Sequence, residues 1–600
     1  MIRIMCCILC VLCANIWASV VLEKIMDKSI VCDYLIICPE EMSDAAVNLA
    51  EHRNAFAGDD VSNAHVAHLE NIIVEFLETD LKKRDKALSK AVNWAAQNWT
   101  EPLKYLVLIG DDEAALDTVD STYYSIGKMP TWYTENNIFK KLDVSDDYYG
   151  LISNDTVFST LYDFMYNIRI GRIPASTLLL ANNYVEKVKR YDLYNGNRSW
   201  KNKVLAIADD KYQGELIDFV KHQMSSDIIT DLCKGFFVKK LYTSVFPTVN
   251  LNSKPDAKDA IIGKINEGAG ITVYYGHGHP SKLSDEDILN YSDADRLEND
   301  SMPTAFFSFS CENGNFMSVE DVPMCKPFLL KEQGGCIAYF AIREKGYASL
   351  NENLGKCIFK RIEKNPDYSL GQIVLESKIE SRSDKNSTYY LLGDPALRCF
   401  SKTIPLDCTL LPDTISPSAF RINLPVNSLS ADKNNYYVEF SFVDSVVPFE
   451  QDDMKFGRDS VFKSVSGEFQ NTVDINIPSA NKYPLKVVVF VWNGLGDGRA
   501  EFLIGSENAH VIFASSKKAK NVVNITVHNN YLSIINNRES GNKSGMLKIF
   551  NLQGQHLKSL NLDCNEKVIN LKNHIKSSGR YIFLYCAGEV QVRKTFMILK

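Results

Sequence analysis

From Tyr34 onward, short apolar runs alternate with stretches whose apolar residues recur at helical spacing. Tyr34-Leu-Ile-Ile-Cys38, Tyr105-Leu-Val-Leu-Ile109, Lys203-Val-Leu-Ala-Ile-Ala208, Ile271-Thr-Val-Tyr-Tyr275 and Thr304-Ala-Phe-Phe-Ser-Phe309 are five or six residues long and rich in β-branched or aromatic side chains. That is the texture of strands buried on both faces of a parallel sheet. Between them lie helical periods such as Ile72-Ile-Val-Glu-Phe-Leu and Ala87-Leu-Ser-Lys-Ala-Val-Asn-Trp-Ala-Ala, so the order predicts βαβ units. Ala181-Asn-Asn-Tyr-Val-Glu-Lys-Val-Lys-Arg-Tyr closes a first half, and a second runs from near Lys203 to the Gly393-Asp394-Pro395 turn. The expected fold class is α/β, with two side-by-side subdomains of mostly parallel sheet, A at 34–200 and B at 201–402. After Pro405 the pattern becomes short alternating strands separated by Pro, Asn, Gly and Ser turns, as in Tyr436-Tyr-Val-Glu-Phe-Ser-Phe-Val and Leu485-Lys-Val-Val-Val-Phe-Val-Trp, which predicts a β-sandwich over 403–515. Another β module is expected over 522–600.

Two strands of the second half end in reactive residues: Ile271–Tyr275 runs into Gly276-His277-Gly278-His279, and Thr304–Phe309 into Ser310-Cys311-Glu-Asn-Gly314-Asn-Phe316. The carboxyl ends of neighbouring strands in an open α/β sheet face one crevice, so a thiol and an imidazole at adjacent tips can meet one substrate. Alone, a cysteine after an apolar run is usually a small core residue, and a histidine beside glycine a satisfied loop residue. Together, with matching glycine turns, they suggest a cysteine hydrolase. A zinc site of His277, His279 and Cys311 is the competing use, but neither Cys-x-x-Cys nor His-Glu-x-x-His accompanies them.

Gly276-His277-Gly278 and Cys311-Glu312-Asn313-Gly314-Asn315-Phe316, each closing an apolar strand, resemble the signature of the gingipain-type cysteine peptidases, peptidase family C25 of the caspase-like clan. Tyr105-Leu-Val-Leu-Ile-Gly-Asp111-Asp112, Ser145-Asp-Asp-Tyr-Tyr-Gly150, Ile170-Gly-Arg172-Ile-Pro174-Ala and Leu391-Leu-Gly-Asp394-Pro395-Ala-Leu fall in that family's order, so the likeness spans roughly Tyr34 to Phe400. It implies caspase/Rossmann-like subdomains and catalysis by Cys311 with His277 as the base. Backbone N–H groups of Gly278 and Cys311 would form the oxyanion site. Asp209, at the end of the first strand of subdomain B, would orient the imidazole, with Asp210 next in line; paired aspartates after a strand also commonly cap a helix. Tyr347 would wall the pocket for the residue before the scissile bond, with Glu215 and Asp218 as candidate acids at its floor. Those two also fit the first turns of an amphipathic helix. Ser310 and His279 depart from the family, which favours alanine and a small polar residue there. The resemblance further implies an immunoglobulin-like domain at 403–515. At 522–600, Leu547-Lys-Ile-Phe-Asn551-Leu-Gln-Gly554, Gly579-Arg-Tyr581-Ile-Phe and Lys594–Lys600 resemble a type IX secretion C-terminal sorting domain.

Arg3 before the apolar run Ile4–Cys13, with small Ala18 beyond it, reads as a signal peptide over 1–18; 19–33 is then a short pro-segment or linker. The run is too short to span a bilayer and no later one reaches about 20 apolar residues, so no transmembrane anchor is expected. A formal charge of −8 with no long basic run argues against a nucleic-acid partner. Of 15 cysteines, 11 follow the signal; the odd count leaves at least one thiol free, while Cys32 with Cys38, Cys399 with Cys408 and Cys564 with Cys586 could bridge. No cofactor is required by the expected chemistry. Asp111-Asp112-Glu113 and Asp146-Asp147 could hold calcium as a structural ion, although EF-hand spacing is missing. The expectation is a secreted or outer-membrane-attached cysteine endopeptidase whose partners are protein or peptide substrates and the outer-membrane secretion machinery. The alternatives are a sorting-domain transpeptidase of the same family and an inactive surface adhesin.

Overall fold

The computed structural model describes residues 20–400 apart from 57–59, 117–122, 137–140, 151–166, 211–217 and 251–252, and from residue 404 on mainly the strands named below. The expected signal peptide lies outside the described residues. Two compact units divide at Lys402 and Thr403.

The first unit is built on one 11-stranded sheet. In chain order its strands are β1 Val21–Leu22, β2 Tyr34–Cys38, β3 Ala64–His68, β4 Tyr105–Ile109, β5 Arg169–Ile173 and β6 Lys203–Ala208. They continue as β7 Phe237–Tyr242, β8 Ile271–Tyr275, β9 Thr304–Phe309, β10 Cys336–Ile342 and β11 Tyr389–Leu392. Their spatial order is β1-β3-β2-β4-β5-β11-β10-β9-β8-β6-β7. The two α/β halves expected side by side therefore share a continuous sheet. Every neighbouring pair is parallel except β10 with β11. Since β11 also runs parallel to β5, strands of the first half point opposite to those of the second.

Central strands β2, β4, β8, β9 and β10 are buried at every position, as their unbroken apolar runs require. Helix α1, Ser43–Ala55, presents Arg53 to Asp394 just past β11 (Nε to Oδ2, 2.8 Å) and to Asp192 (Nη1 to Oδ2, 2.8 Å). The guanidinium is fully buried, and these paired carboxylates offset its desolvation. Arg172 of β5 is likewise fully buried, gripping Asp146 with two 2.7 Å bonds and donating to the carbonyls of Gly110, Met129 and Pro130. Two sequence motifs of the first half thus converge on one ion pair. Helix α2, Asp218–Leu232, packs on β6 and β8, and helix α3, Ala348–Lys364, on β9. Leu354, Ile358 and Ile362 recur along its buried face.

In the second unit, the antiparallel sheet of Asp407–Leu411, Ala419–Asn423 and Thr472–Asn476 and the five-stranded sheet containing Asn434–Phe442 and Leu485–Asn493 feed one apolar core, including Phe420, Ile475, Val438, Phe440, Val487 and Val489. Beyond them come a three-stranded sheet starting at Val523–His528 and a four-stranded antiparallel sheet ending at Val590–Ile598. Among the described residues no helix is long and apolar enough to cross a membrane.

Candidate active site

Strands β8 and β9 are parallel neighbours with Tyr275 opposite Phe309. His277 and Cys311 each stand two residues beyond that pair. Below them Tyr275 and Phe309 stack at 4.7 Å, a dry aromatic floor that fixes both strand tips. Helix α3 approaches this floor closely at Gly355, where any side-chain carbon would overlap the Tyr275 hydroxyl. Gly278 lies directly against the backbone of Cys311: a Cβ there would come 2.5 Å from both the Cys311 carbonyl and Ser310 Oγ.

His277 and Cys311 are partly exposed, and of the nine free thiols among the described residues only Cys311 is not buried. The thiol donates to the Gly346 carbonyl at 3.6 Å, which puts Tyr347, 63% exposed, at the next position along the rim. Burial holds the Cys311 thiol above its ordinary pKa, opposed by its bond to Gly346 and by the charge of Lys345. A group in that state is protonated at neutral pH and needs a base to react.

Past Cys311 the chain turns sharply. Glu312 takes a left-handed φ of 54°, uncommon for a residue with a Cβ, and its N–H donates to the Glu344 carbonyl at 2.9 Å. Asn313, fully buried, then ties the two reactive loops together: its Nδ2 donates to the His279 carbonyl at 3.1 Å and its Oδ1 accepts from the Tyr339 hydroxyl. This gives Asn313 a positioning task that its place in the motif did not reveal.

Asp209 closes β6 beside these tips. Its Oδ2 accepts the backbone N–H of His277 at 3.0 Å and the Tyr274 hydroxyl at 3.1 Å, and Tyr274 also donates to the His277 carbonyl at 2.7 Å. The carboxylate thus fixes the backbone that carries the imidazole. Burial and then the neighbouring Glu286 charge push the Asp209 carboxyl up to about 7, against the favourable charge of His277. The ring of His222, from helix α2, meets the His277 ring edge to face at 5.2 Å.

The remaining sequence expectations divide. Glu215 lies outside the described residues, and Asp218 opens helix α2 with its side chain likewise outside them. His279 shares a 2.9 Å bond with Ser281 Oγ through Nδ1 and holds Nε2 3.6 Å from Asp321. Among the described residues, the group of metal-ligand type whose donor atoms converge is Asp209, Asp210 and Glu286, without His277, His279 or Cys311. In the acidic pairs read as calcium candidates, Asp112 accepts from Ser125 Oγ and from the N–H groups of Gly127 and Thr131. Asp111 lies 3.4 Å from Lys326, Asp146 holds Arg172, and Asp147 lies 2.7 Å from Lys378. The expected local bridges are corrected: Cys32, Cys38, Cys399 and Cys408 are all free buried thiols, Cys38 within β2 and Cys32 donating to the Tyr34 carbonyl. Cys564 lies outside the described residues, and Cys586 is in the strand Gly579–Ala587 with its side chain likewise outside them. A cavity of about 650 Å³ lined by Asp295, Glu298, Asp300 and Lys331 opens near the amino ends of β9 and β10 and contains none of the reactive groups.

Similar structures are gingipain R, the Arg-specific cysteine proteinase RgpB (15% identity, TM-score 0.47, 81% of this chain and 99% of that one), and the complex of RgpB pro- and mature domains from Porphyromonas gingivalis (15%, 0.49, 78% and 99%). Dimeric latent PorU from Porphyromonas gingivalis is also similar (14%, 0.34, 95% and 64%). Among curated proteins none matches significantly. The model of peptidase family C25 matches residues 27–400, the whole stretch that carries the strand tips, Asn313 and the Arg172 and Asp394 motifs. The chain therefore belongs to peptidase family C25 and is a cysteine peptidase.

Proposed function

We propose that this peptidase is a secreted endopeptidase in which Cys311 attacks the scissile carbonyl while His277 accepts the thiol proton. The imidazolium then returns that proton to the leaving amine, and water, deprotonated by the same ring, releases the acyl group from sulfur. The observation that carries the reading is the pairing of the one partly exposed thiol among the described residues with an imidazole at the same height on the next strand. A protonated resting thiol makes the base necessary. The N–H groups of Gly278 and Cys311 serve the oxyanion, and the contact of Gly278 with the Cys311 carbonyl supports their common placement. Asp209 acts as orienter of His277 through the backbone.

Tyr347, exposed beside the thiol's partner Gly346, forms a wall of the pocket before the scissile bond. Its ring suits an aliphatic stem or a cation, and Glu215 and Asp218 remain the candidate acids of the floor. Residues 1–18 act as the export signal, 403–515 as an immunoglobulin-like β-sandwich, and 522–600 as a type IX sorting domain that engages the outer-membrane secretion machinery and leaves the enzyme secreted or surface-attached. Calcium, where bound, is structural. The test is hydrolysis of internally quenched peptides that vary the residue before the cleaved bond. Wild-type protein should cleave within a peptide and Cys311→Ala should not; cleavage retained by that variant removes Cys311 from the mechanism.

A further inference from the structure

Behind the His277 loop lie three buried carboxylates and one buried ammonium. Oxygens of Asp209, Asp210 and Glu286 lie within 4.8 Å of one another. Lys254, 2% exposed, pairs its Nζ with Asp210 Oδ2 and donates to the Thr243 carbonyl at 3.1 Å. Thr243 Oγ1 donates to Asp210 Oδ1 at 3.0 Å and stands 3.5 Å from Asp209 Oδ1. The ammonium is therefore engaged by Asp210. Glu286 accepts from Ser284 Oγ, and Ser284 N–H is held by the His277 carbonyl at 2.9 Å. Glu286 thus belongs to the same loop as the imidazole, with its carboxylate close to that of Asp209. Two carboxylates so close in a buried site cannot both ionise freely.

Resting on the peptidase reading above, we propose that Glu286 is a positioning residue that shares one buried proton with Asp209, with Lys254 as the fixed cation of the cluster, so that the charge count there sets when His277 is correctly held. Other ionisable groups facing the cluster are His277 itself, Tyr274 across Asp209, His222 against the His277 ring, and Lys258, which is paired with Asp287 and Asp293 beside Glu286. Loss of the shared proton leaves Asp209 fully charged as acceptor for the His277 N–H. The proton is retained at lower pH, so this equilibrium forms the acid limb of activity.

Two variants of the full chain test this by opposite displacements. Glu286→Gln keeps the size and polarity of the side chain but removes the like charge, so the acid limb of kcat/KM should move down by about one pH unit. Lys254→Met removes the favourable charge, so the limb should move up. A purely structural role would lower activity in both without opposite shifts, and coincident limbs would overturn the proposal. Added calcium should leave the wild-type limb in place; a calcium-dependent shift would mean that the carboxylates hold a metal instead of a proton. If wild type cleaves no peptide, the peptidase reading fails separately, and urea midpoints at pH 5 and 7 still decide the shared proton. The folded state binds it over this range while unfolded carboxylates do not. Wild type should therefore gain stability relative to Glu286→Gln as pH falls, and equal changes in both proteins would refute it.

Discussion

Replacing Gly278 by alanine isolates the geometry on which the catalytic reading depends. The added Cβ would stand 2.5 Å from the Cys311 carbonyl oxygen, 2.5 Å from Ser310 Oγ and 2.7 Å from Ser310 Cβ. Ordinary contact begins near 3.5 Å, so the two loops must part by roughly 1 Å. Side-chain rotation cannot provide that space, because one neighbour is backbone and Ser310 is fully buried with its hydroxyl 2.9 Å from that of Ser308. Overpacking of this kind costs about 1–3 kcal/mol of stability. A displacement of about 1 Å between nucleophile and base costs about 100-fold in rate. Steady-state hydrolysis of a quenched peptide by Gly278→Ala should therefore show kcat reduced about 100-fold with KM changed far less, and a urea melt should show the stability loss. Adding Ser310→Ala removes only the Oγ contact, so it should not restore activity. Wild-type kcat in Gly278→Ala would refute the close apposition of the two loops.

Other outcomes follow from the same contacts. Asn313→Ala strands the His279 carbonyl and the Tyr339 hydroxyl inside the protein, which should cost about 1–3 kcal/mol in a urea melt and slow peptide cleavage. Arg172→Met leaves Asp146 buried without its partner; thermal or chemical denaturation should register about 3–5 kcal/mol. Because burial holds the Cys311 thiol above its ordinary range, its iodoacetamide alkylation, followed by peptide mapping, should still be accelerating above about pH 8.5. A rate already level at pH 7 would mean a preformed thiolate.

The strands carrying the reactive residues were legible because burial on both faces demands uninterrupted apolar residues, and the glycines after Tyr275 and Phe309 mark where each strand yields to a loop. Tip position followed from strand length; that the two tips are adjacent rests on the parallel pairing of β8 with β9. The continuity of the sheet was not legible. It depends on β11, Tyr389–Leu392, lying between β10 and β5, and a strand's own residues do not encode its neighbours. Asp209 was singled out by the family resemblance, which puts an acid after the first strand of subdomain B; that it accepts the His277 N–H required coordinates. Lys254 carries no signal in the sequence, because its partner Asp210 is 44 residues away along the chain. The Cys32–Cys38 and Cys399–Cys408 bridges failed for a related reason. Parity counts thiols but says nothing of direction, and Cys32 and Cys38 are each buried as free thiols.

The most direct measurement is the rate at which a peptide bearing a thiol-reactive warhead labels the full-length protein, with the modified residue located by mass spectrometry. Labelling of Cys311 in wild type, at least about 100-fold slower in His277→Ala and absent in Cys311→Ala, is the predicted result. Equal labelling in wild type and His277→Ala, or modification at a different cysteine while peptide cleavage persists, would contradict it.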